Sequence, residues 1–364
     1  MRIKYSDWND ALEKKLREFS GLRQLFHHLL IQLNGDVDLA LNALRRLQKL
    51  GYLDNDLDID DFEKKLLEQA VIEINPSGKK KLTRKGERDL RRNALERIFG
   101  ALKRSGRGDH TVPQEGGSSE EPLPERRPFK FGDNPQLIDF TSSLFNSVRR
   151  TGNLNLALSE DDLEVCETEK TTSCATALLL DISHSMILYG EDRITPAKQV
   201  AMAISELITT KYPRDFLTII LFGDSAREVK IKDLPYCGVG PYHTNTKAGL
   251  QMARRILLSK KHVNKQIIMI TDGKPSMIMR ENGQIYRNPI GLDPIIVNRT
   301  LDEAVICRKK KISITTFMVT DDPYLQGFVE RLTELNRGKA YYSSVDNLGE
   351  FVIRDFLTQR RKRK

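Results

Sequence analysis

The stretch Ala177–Met186 reads ALLLDISHSM, an apolar run that stops at Asp181, Ser183 and Ser185 on alternate positions. Thr271 and Asp272 end a second apolar run in IIMITDG, and GPYHTNTKAG (240–249) presents Thr244 where a helix should begin. Two carboxylates, two serines and a threonine make a hard, all-oxygen set with no thiolate or imidazole. Such a set suits Mg²⁺, Mn²⁺ or Ca²⁺ rather than zinc or copper. Mg²⁺ takes six ligands and usually keeps some waters. Neutral hydroxyls leave its charge partly unbalanced, so an ion held this way is able to recruit a carboxylate from another molecule.

These residues need a frame that brings three loops to one place. TALLLD (176–181), FLTIILFG (216–223), QIIMIT (266–271) and ISITTFMV (312–319) read as buried strands, with KAYYSS (339–344) as a last one. Between them, 194–212, 244–259, 300–310 and 324–335 carry apolar residues at helical spacing; Ala197, Val200, Ala201, Ile204, Leu207 and Ile208 form one such stripe. This alternation predicts an α/β fold, a mainly parallel sheet with helices on both faces. Ligands of such sheets gather at the carboxyl ends of the strands, where Asp181 and Asp272 stand.

DISHS at 181–185 resembles the DxSxS signature of von Willebrand factor type A (VWA) domains, a Rossmann-like fold. HTNT (243–246) and ITDG (270–273) are similar to that fold's other two metal loops in order and spacing. The resemblance implies a metal-ion-dependent adhesion site of Asp181, Ser183, Ser185, Thr244 and Asp272. In the family the hydroxyls usually bind the ion directly, the aspartates often act through water, and an acidic partner residue fills the open position. Segments from RPFKFGD (127–133) to LGEFVIRDFL (348–357) further resemble one bacterial group of cytoplasmic VWA proteins, akin to the VWA portion of magnesium-chelatase-type subunits. That likeness implies a partner AAA+ ATPase of the MoxR or magnesium-chelatase type. Lys274 departs from it, standing where an acidic residue is expected.

Other chemistry is missing. There is no GxxxxGK[ST] phosphate cradle and no GxSxG nucleophile elbow. DISHS lacks the second aspartate of a phosphoaspartate phosphatase. His184 and His243 flank the metal loops, but loop histidines more often face solvent or support ligands than act as general bases. The expectation is therefore a binding protein rather than an enzyme, with His184, His243, Thr246 and Lys274 as candidate partner contacts. The connection 272–298 is long, and long loops beside a site tend to be functional. It is expected to form a flap that helps select the partner.

The chain divides into a helix-rich basic region (1–104), a Gly/Pro/Ser/Glu-rich flexible linker (105–128), the VWA portion with an N-terminal extension (129–359) and a basic tail, RRKRK (360–364). In the first region a helix ending near Gly51, two short strands within 70–83 and a basic helix over 84–102 resemble a winged-helix module. Lys79, Lys80, Lys81, Arg84, Lys85, Arg88, Arg91 and Arg92 crowd it and suit phosphate contacts. Acidic residues lie nearby, Asp7, Asp10, Glu13 and Glu18, then Asp54, Asp56, Asp58, Asp60 and Asp61, and favour protein docking instead. A nucleic-acid-binding regulator is the alternative function. The net charge of +9 is compatible with nucleic acid, an anionic surface or an acidic partner. Scattered Cys166, Cys174, Cys237 and Cys307 read as free thiols. No apolar run approaches a membrane span and the N-terminus has no export signal, which points to the cytoplasm.

Overall fold

A computed structural model describes residues 19–54, 57–104, 119–130, 138–152, 158–171, 173–190, 192–240, 242–280, 283–288, 291–319, 322–342, 348–349, 352–353 and 355–357. Most of the linker (105–118), the tail (360–364) and Asp7, Asp10, Glu13, Glu18 and Asp56 lie outside them. The chain forms two compact units, one containing the first hundred residues together with 174–261 and 265–357, the other built on Thr111–Ser173.

The first unit opens with α1 (Phe19–Gln32), α2 (Val37–Lys49) and α3 (Ile59–Glu68). Asp36 and Asp58 cap α2 and α3 by accepting backbone N–H groups of the first turn. The hairpin of β1 (Ile72–Ile74) and β2 (Lys80–Leu82) follows, then the long α4 (Arg84–Arg104), so helix, hairpin and helix occur in the order read from the sequence. In the second unit, β3 (Ser119–Pro128) pairs antiparallel with β4 (Glu164–Thr171), with α5 (Phe140–Thr151) between them in the chain. Ser119–Pro128, expected as the end of the linker, is therefore a strand. Its prolines rule out a regular ladder, and the register shifts between Pro122 and Arg126.

The main sheet belongs to the first unit. Its strands are β5 (Cys174–Asp181), β6 (Phe216–Phe222), β7 (Ala226–Val229), β8 (Asn264–Thr271), β11 (Ile312–Met318) and β12 (Lys339–Tyr342). The helices are α6 (Ile194–Lys211), α7 (Thr246–Leu258), α8 (Pro294–Lys309) and α9 (Pro323–Asn336). A small hairpin, β9 (Met277–Met279) with β10 (Ile285–Arg287), lies in the long connection after β8. Spatial order is β12-β11-β8-β5-β6-β7, parallel except for β7. β7 was not legible as a strand because AREV carries two charges at an exposed edge. α8 starts before the expected Thr300, because Asp293 accepts the Ile295 and Ile296 N–H groups and Pro294 suits the first turn.

The two sheet faces have separate cores. Leu250, Leu257, Ala304, Phe328 and Leu332 from α7, α8 and α9 cover Leu179, Ile220, Met269 and Ile314. On the other face α6 covers Leu178, Leu180, Leu221 and Ile270, and α1 and α4 bury its outer side in turn. That is why α6 is buried almost all round. Its polar stripe is spent on this docking. The Lys198 ammonium donates to the Ile31 carbonyl at 2.8 Å and to Asn34 Oδ1 at 3.0 Å, and Arg91 pairs with Glu206 at 3.2 Å. Burial lowers the Lys198 pKa to about 8. Cys174, Cys237 and Cys307 are free and buried. Among the described residues, no helix is long and apolar enough to cross a membrane.

Candidate metal centre

β5 and β8 are neighbours at the point where the strand order reverses, and in open α/β sheets the ligand crevice lies at the strands' carboxyl ends there. Asp181 is the last residue of β5 and Asp272 directly follows β8; both are buried. The Ser183 N–H donates to Asp181 Oδ1 at 2.9 Å, folding the chain into a tight turn. The Thr271 hydroxyl donates to Asp181 Oδ2 at 2.6 Å and accepts the Gly273 N–H at 3.0 Å. Gly273 has φ +90°, a conformation that suits glycine. Both Asp181 oxygens are thus occupied by the protein.

The Ser183 and Ser185 hydroxyls lie 3.0 Å apart, and Ser185 also hydrogen-bonds the Asp272 carboxylate. Asp272 Oδ1 accepts the Lys274 N–H at 3.4 Å. Burial, then the charge of Asp272, pushes the Asp181 carboxyl well above its usual range. Burial raises Asp272 as well, against the pull of Ser185, the Lys274 backbone and the charges of Arg193 and Lys274. Two like charges held together away from water are a costly arrangement that a cation relieves.

Thr244 is buried just before α7, which Asn245 caps by accepting the Ala248 N–H. Its backbone ties it to the loop after β8: its N–H donates to Ser276 Oγ at 2.9 Å, and its carbonyl accepts the Ser276 and Met277 N–H groups. The Asn245 N–H donates to the Gly223 carbonyl, tying the same loop to the end of β6. Direct contacts therefore join Asp181, Ser183, Ser185 and Asp272, whereas Thr244 bonds Ser276, which follows Asp272 in the same loop. Sequence reasoning passed over Ser276 and over Asp224, whose carboxylate accepts the His243 N–H at 3.0 Å. Their types and spacing carry no signal, since each acts on a distant loop.

The partner-contact candidates divide. The His184 ring stands 5.2 Å from Tyr242, which is exposed, so this pair forms part of the rim. Lys274 is half-buried beside Asp272. Thr246 is buried in the first turn of α7, and buried Nδ1 of His243 meets no hydrogen-bond partner. Thr246 is thus closed off from solvent, whereas His243 as a whole is only partly buried.

The donor chemistry fits a small hard cation. Octahedral Mg²⁺ has bonds of about 2.0–2.1 Å, so adjacent ligands sit about 2.9 Å apart, close to the serine separation. Among the described residues no three His, Cys, Asp or Glu side chains gather as a metal cluster, so the arrangement depends on hydroxyls.

Residues 174–357 match the family model described as Rv0959-like protein, vWA domain, and 121–168 match the third domain of the same family. The chain belongs to the Rv0959-like vWA family. Uncharacterized protein Rv0959 of Mycobacterium tuberculosis is 29% identical over 312 residues, covering 83% of this chain and 45% of that relative. The chain thus spans less than half the length of the curated relatives it matches. A PilB minor pilin from Streptococcus sanguinis is similar in structure, with 15% identity, a TM-score of 0.45 and coverage of 55% of this chain and 65% of the pilin. The vWF domain of the type V pili tip protein Mfa5 from Porphyromonas gingivalis has 13% identity, a TM-score of 0.40 and coverage of 52% and 96%. The vWA domain as a class is a protein-interaction module, and the crevice between Asp181 and Asp272 lies at the carboxyl ends of this one's strands.

Proposed function

We propose that this vWA domain holds Mg²⁺ in the crevice and uses it to clamp an acidic side chain of a partner protein. The observation that carries the reading is the buried Asp181–Asp272 pair beside two serine hydroxyls 3.0 Å apart. Ser183, Ser185 and Thr244 would offer their hydroxyls to the ion. Asp181, already held by Ser183 and Thr271, and Asp272 would act through water and balance its charge. The bound ion supplies positive charge for an incoming carboxylate. Mn²⁺ fits the same donors, and Ca²⁺ would demand a looser set.

The partner we propose is an AAA+ ATPase of the MoxR or magnesium-chelatase type, with this chain as a non-catalytic adaptor or substrate-recognition subunit in the cytoplasm. The resemblance of segments between 127 and 357 supports this. The nucleic-acid alternative is less well supported, because several side chains of the basic region already pair within the domain. Lys80 pairs with Glu63 at 2.6 Å, Lys81 with Glu73 at 3.0 Å and Arg92 with Glu96 at 2.9 Å, and Lys85 donates to the Gln69 carbonyl.

The test is affinity capture of partners from native extract in Mg²⁺ and in chelator, with Asp181→Ala beside the wild type. The expected result is an ATPase recovered only by wild type with Mg²⁺. Identical recovery under all conditions overturns the clamp.

A further inference from the structure

The residues around Thr244 connect the crevice to the hairpin β9–β10. Both backbone polar groups of Thr244 are held by the hairpin's base: the N–H by Ser276 Oγ, the carbonyl by the Ser276 and Met277 N–H groups. The Asn288 N–H in turn donates to the Ser276 carbonyl at 2.9 Å, so Ser276 also joins the two ends of the hairpin. The far side is anchored too. Tyr286 and Asn288 both donate to Asp293 Oδ2 at 3.0 Å, and Asp293 caps α8. The hairpin is therefore tied at its base to the loop carrying Thr244.

We infer that Ser276 is the positioning residue that couples ion binding at Thr244 to hairpin β9–β10, and that the hairpin is the second half of the partner-binding surface. The inference rests on the metal reading above and adds what the partner must look like. Met277 and Ile278 are buried at the base, whereas Met279 and Ile285 face each other across the two strands and are each about half exposed. Arg280 lies over the Tyr286 ring at 4.5 Å, which holds a cation on the same hairpin. With the charges of Lys274 and Arg193 next to Asp272, the surface is cationic around an apolar pair. Its complement is a peptide segment with an acidic side chain for the ion and an adjacent apolar side chain for Met279 and Ile285. Partner and ion then bind cooperatively, since each orders the element the other needs.

The test uses the ion alone. Mg²⁺ is titrated into wild type, Ser276→Ala and Ser276→Thr, reading affinity by calorimetry and backbone hydrogen exchange by mass spectrometry, with melting in chelator as the folding control. Expected in wild type is slower exchange across 276–288 on adding Mg²⁺. Ser276→Ala should bind about ten-fold more weakly, the low end for residues supporting metal ligands, and lose that protection. Ser276→Thr, which keeps the hydroxyl, should recover both. The inference is overturned if Ser276→Ala binds Mg²⁺ as tightly as wild type, or if the ion leaves exchange over 276–288 unchanged in wild type. A wild type that binds no Mg²⁺ is a different result, and it removes the metal reading itself together with this coupling.

Discussion

Thr271 donates its hydroxyl proton to Asp181 Oδ2 at 2.6 Å across two neighbouring strands, while its own oxygen accepts the Gly273 N–H. One side chain thus fixes both the carboxylate at the end of β5 and the turn after β8. Thr271→Val keeps the shape and removes both bonds. A buried group left without its partner costs about 1–3 kcal/mol. The expected outcome is a lower melting temperature in chelator together with weaker Mg²⁺ binding, measured by thermal shift and calorimetry.

Asp181 presents the opposite balance. Its carboxylate is buried beside Asp272, an arrangement that costs stability unless a cation is present. Asp181→Asn keeps the shape and removes one charge. In chelator the relieved charge repulsion should outweigh the loss of one acceptor oxygen for Ser183 or Thr271, so the variant should melt at or above the wild-type temperature. With Mg²⁺ the order should reverse, because only the wild type gains the binding free energy, about 2.7 kcal/mol at an ion concentration one hundred times Kd. Melting curves with and without Mg²⁺ check this; a variant that gains as much from the ion as wild type contradicts it.

The parts of this architecture that were readable from sequence are those with strong local contrast. Cys174–Asp181 and Asn264–Thr271 are apolar runs cut off by polar residues, and a carboxylate at the end of a buried strand stands out against its apolar neighbours. The docking of α1–α4 was not readable. Lys198 and Glu206 lie off the apolar stripe of α6, and a polar stripe normally means solvent. Here it means a second layer of helices, with Arg91 and the Ile31 carbonyl of α1 as partners. Ser276 was hidden for a related reason. Its bond to Thr244 spans 32 residues, and nothing local marks a single serine after a proline.

His27 predicts a pH dependence. It is buried on α1, and neither ring nitrogen meets a hydrogen-bond partner at bonding geometry, although Asn93 is near. Burial first, then the Arg23 charge, lowers its pKa from 6.5 to about 4. At this residue the unfolded chain holds more protons than the folded one between about pH 4 and 6.5, so its contribution to stability rises with pH across that window. The full contribution is present above 6.5 and is lost as pH falls to 4, amounting to about 3 kcal/mol at 1.36 kcal/mol per pH unit. Denaturant unfolding of wild type and His27→Leu at several pH values isolates this contribution as their difference, because the raised Asp181 and Asp272 carboxyls tilt both curves the opposite way.

Gly35 tests how the first helices are seated. It has φ +78°, and a Cβ there would stand 2.4 Å from Tyr236 Cδ1. Gly35→Ala should cost about 1–2 kcal/mol for the left-handed backbone and about 1–3 kcal/mol for the clash. Tyr236→Ala removes only the second. In a double-mutant cycle the cost of Gly35→Ala should fall in the Tyr236→Ala background without reaching zero. Equal costs in both backgrounds would show that the turn does not press on that ring.

Arg91 and Arg92 separate a docking role from phosphate binding. Adjacent on α4, they meet different surroundings: Arg91 pairs with the buried Glu206 of α6, Arg92 with the exposed Glu96 of its own helix. If the helix served nucleic acid, reversing either charge would weaken duplex binding and flatten its salt dependence. If it serves docking, the two reversals differ in stability instead. Arg91→Glu sets a carboxylate against Glu206 and should cost roughly 3 kcal/mol, as for a broken buried pair. Arg92→Glu loses an exposed pair worth about 0.3–0.5 kcal/mol. Denaturant unfolding measures the difference, and fluorescence anisotropy with a labelled duplex at ~50 mM salt, where phosphate contacts are strong, should detect no binding by wild type. Tight, salt-sensitive duplex binding with equal unfolding costs would reassign this face to nucleic acid.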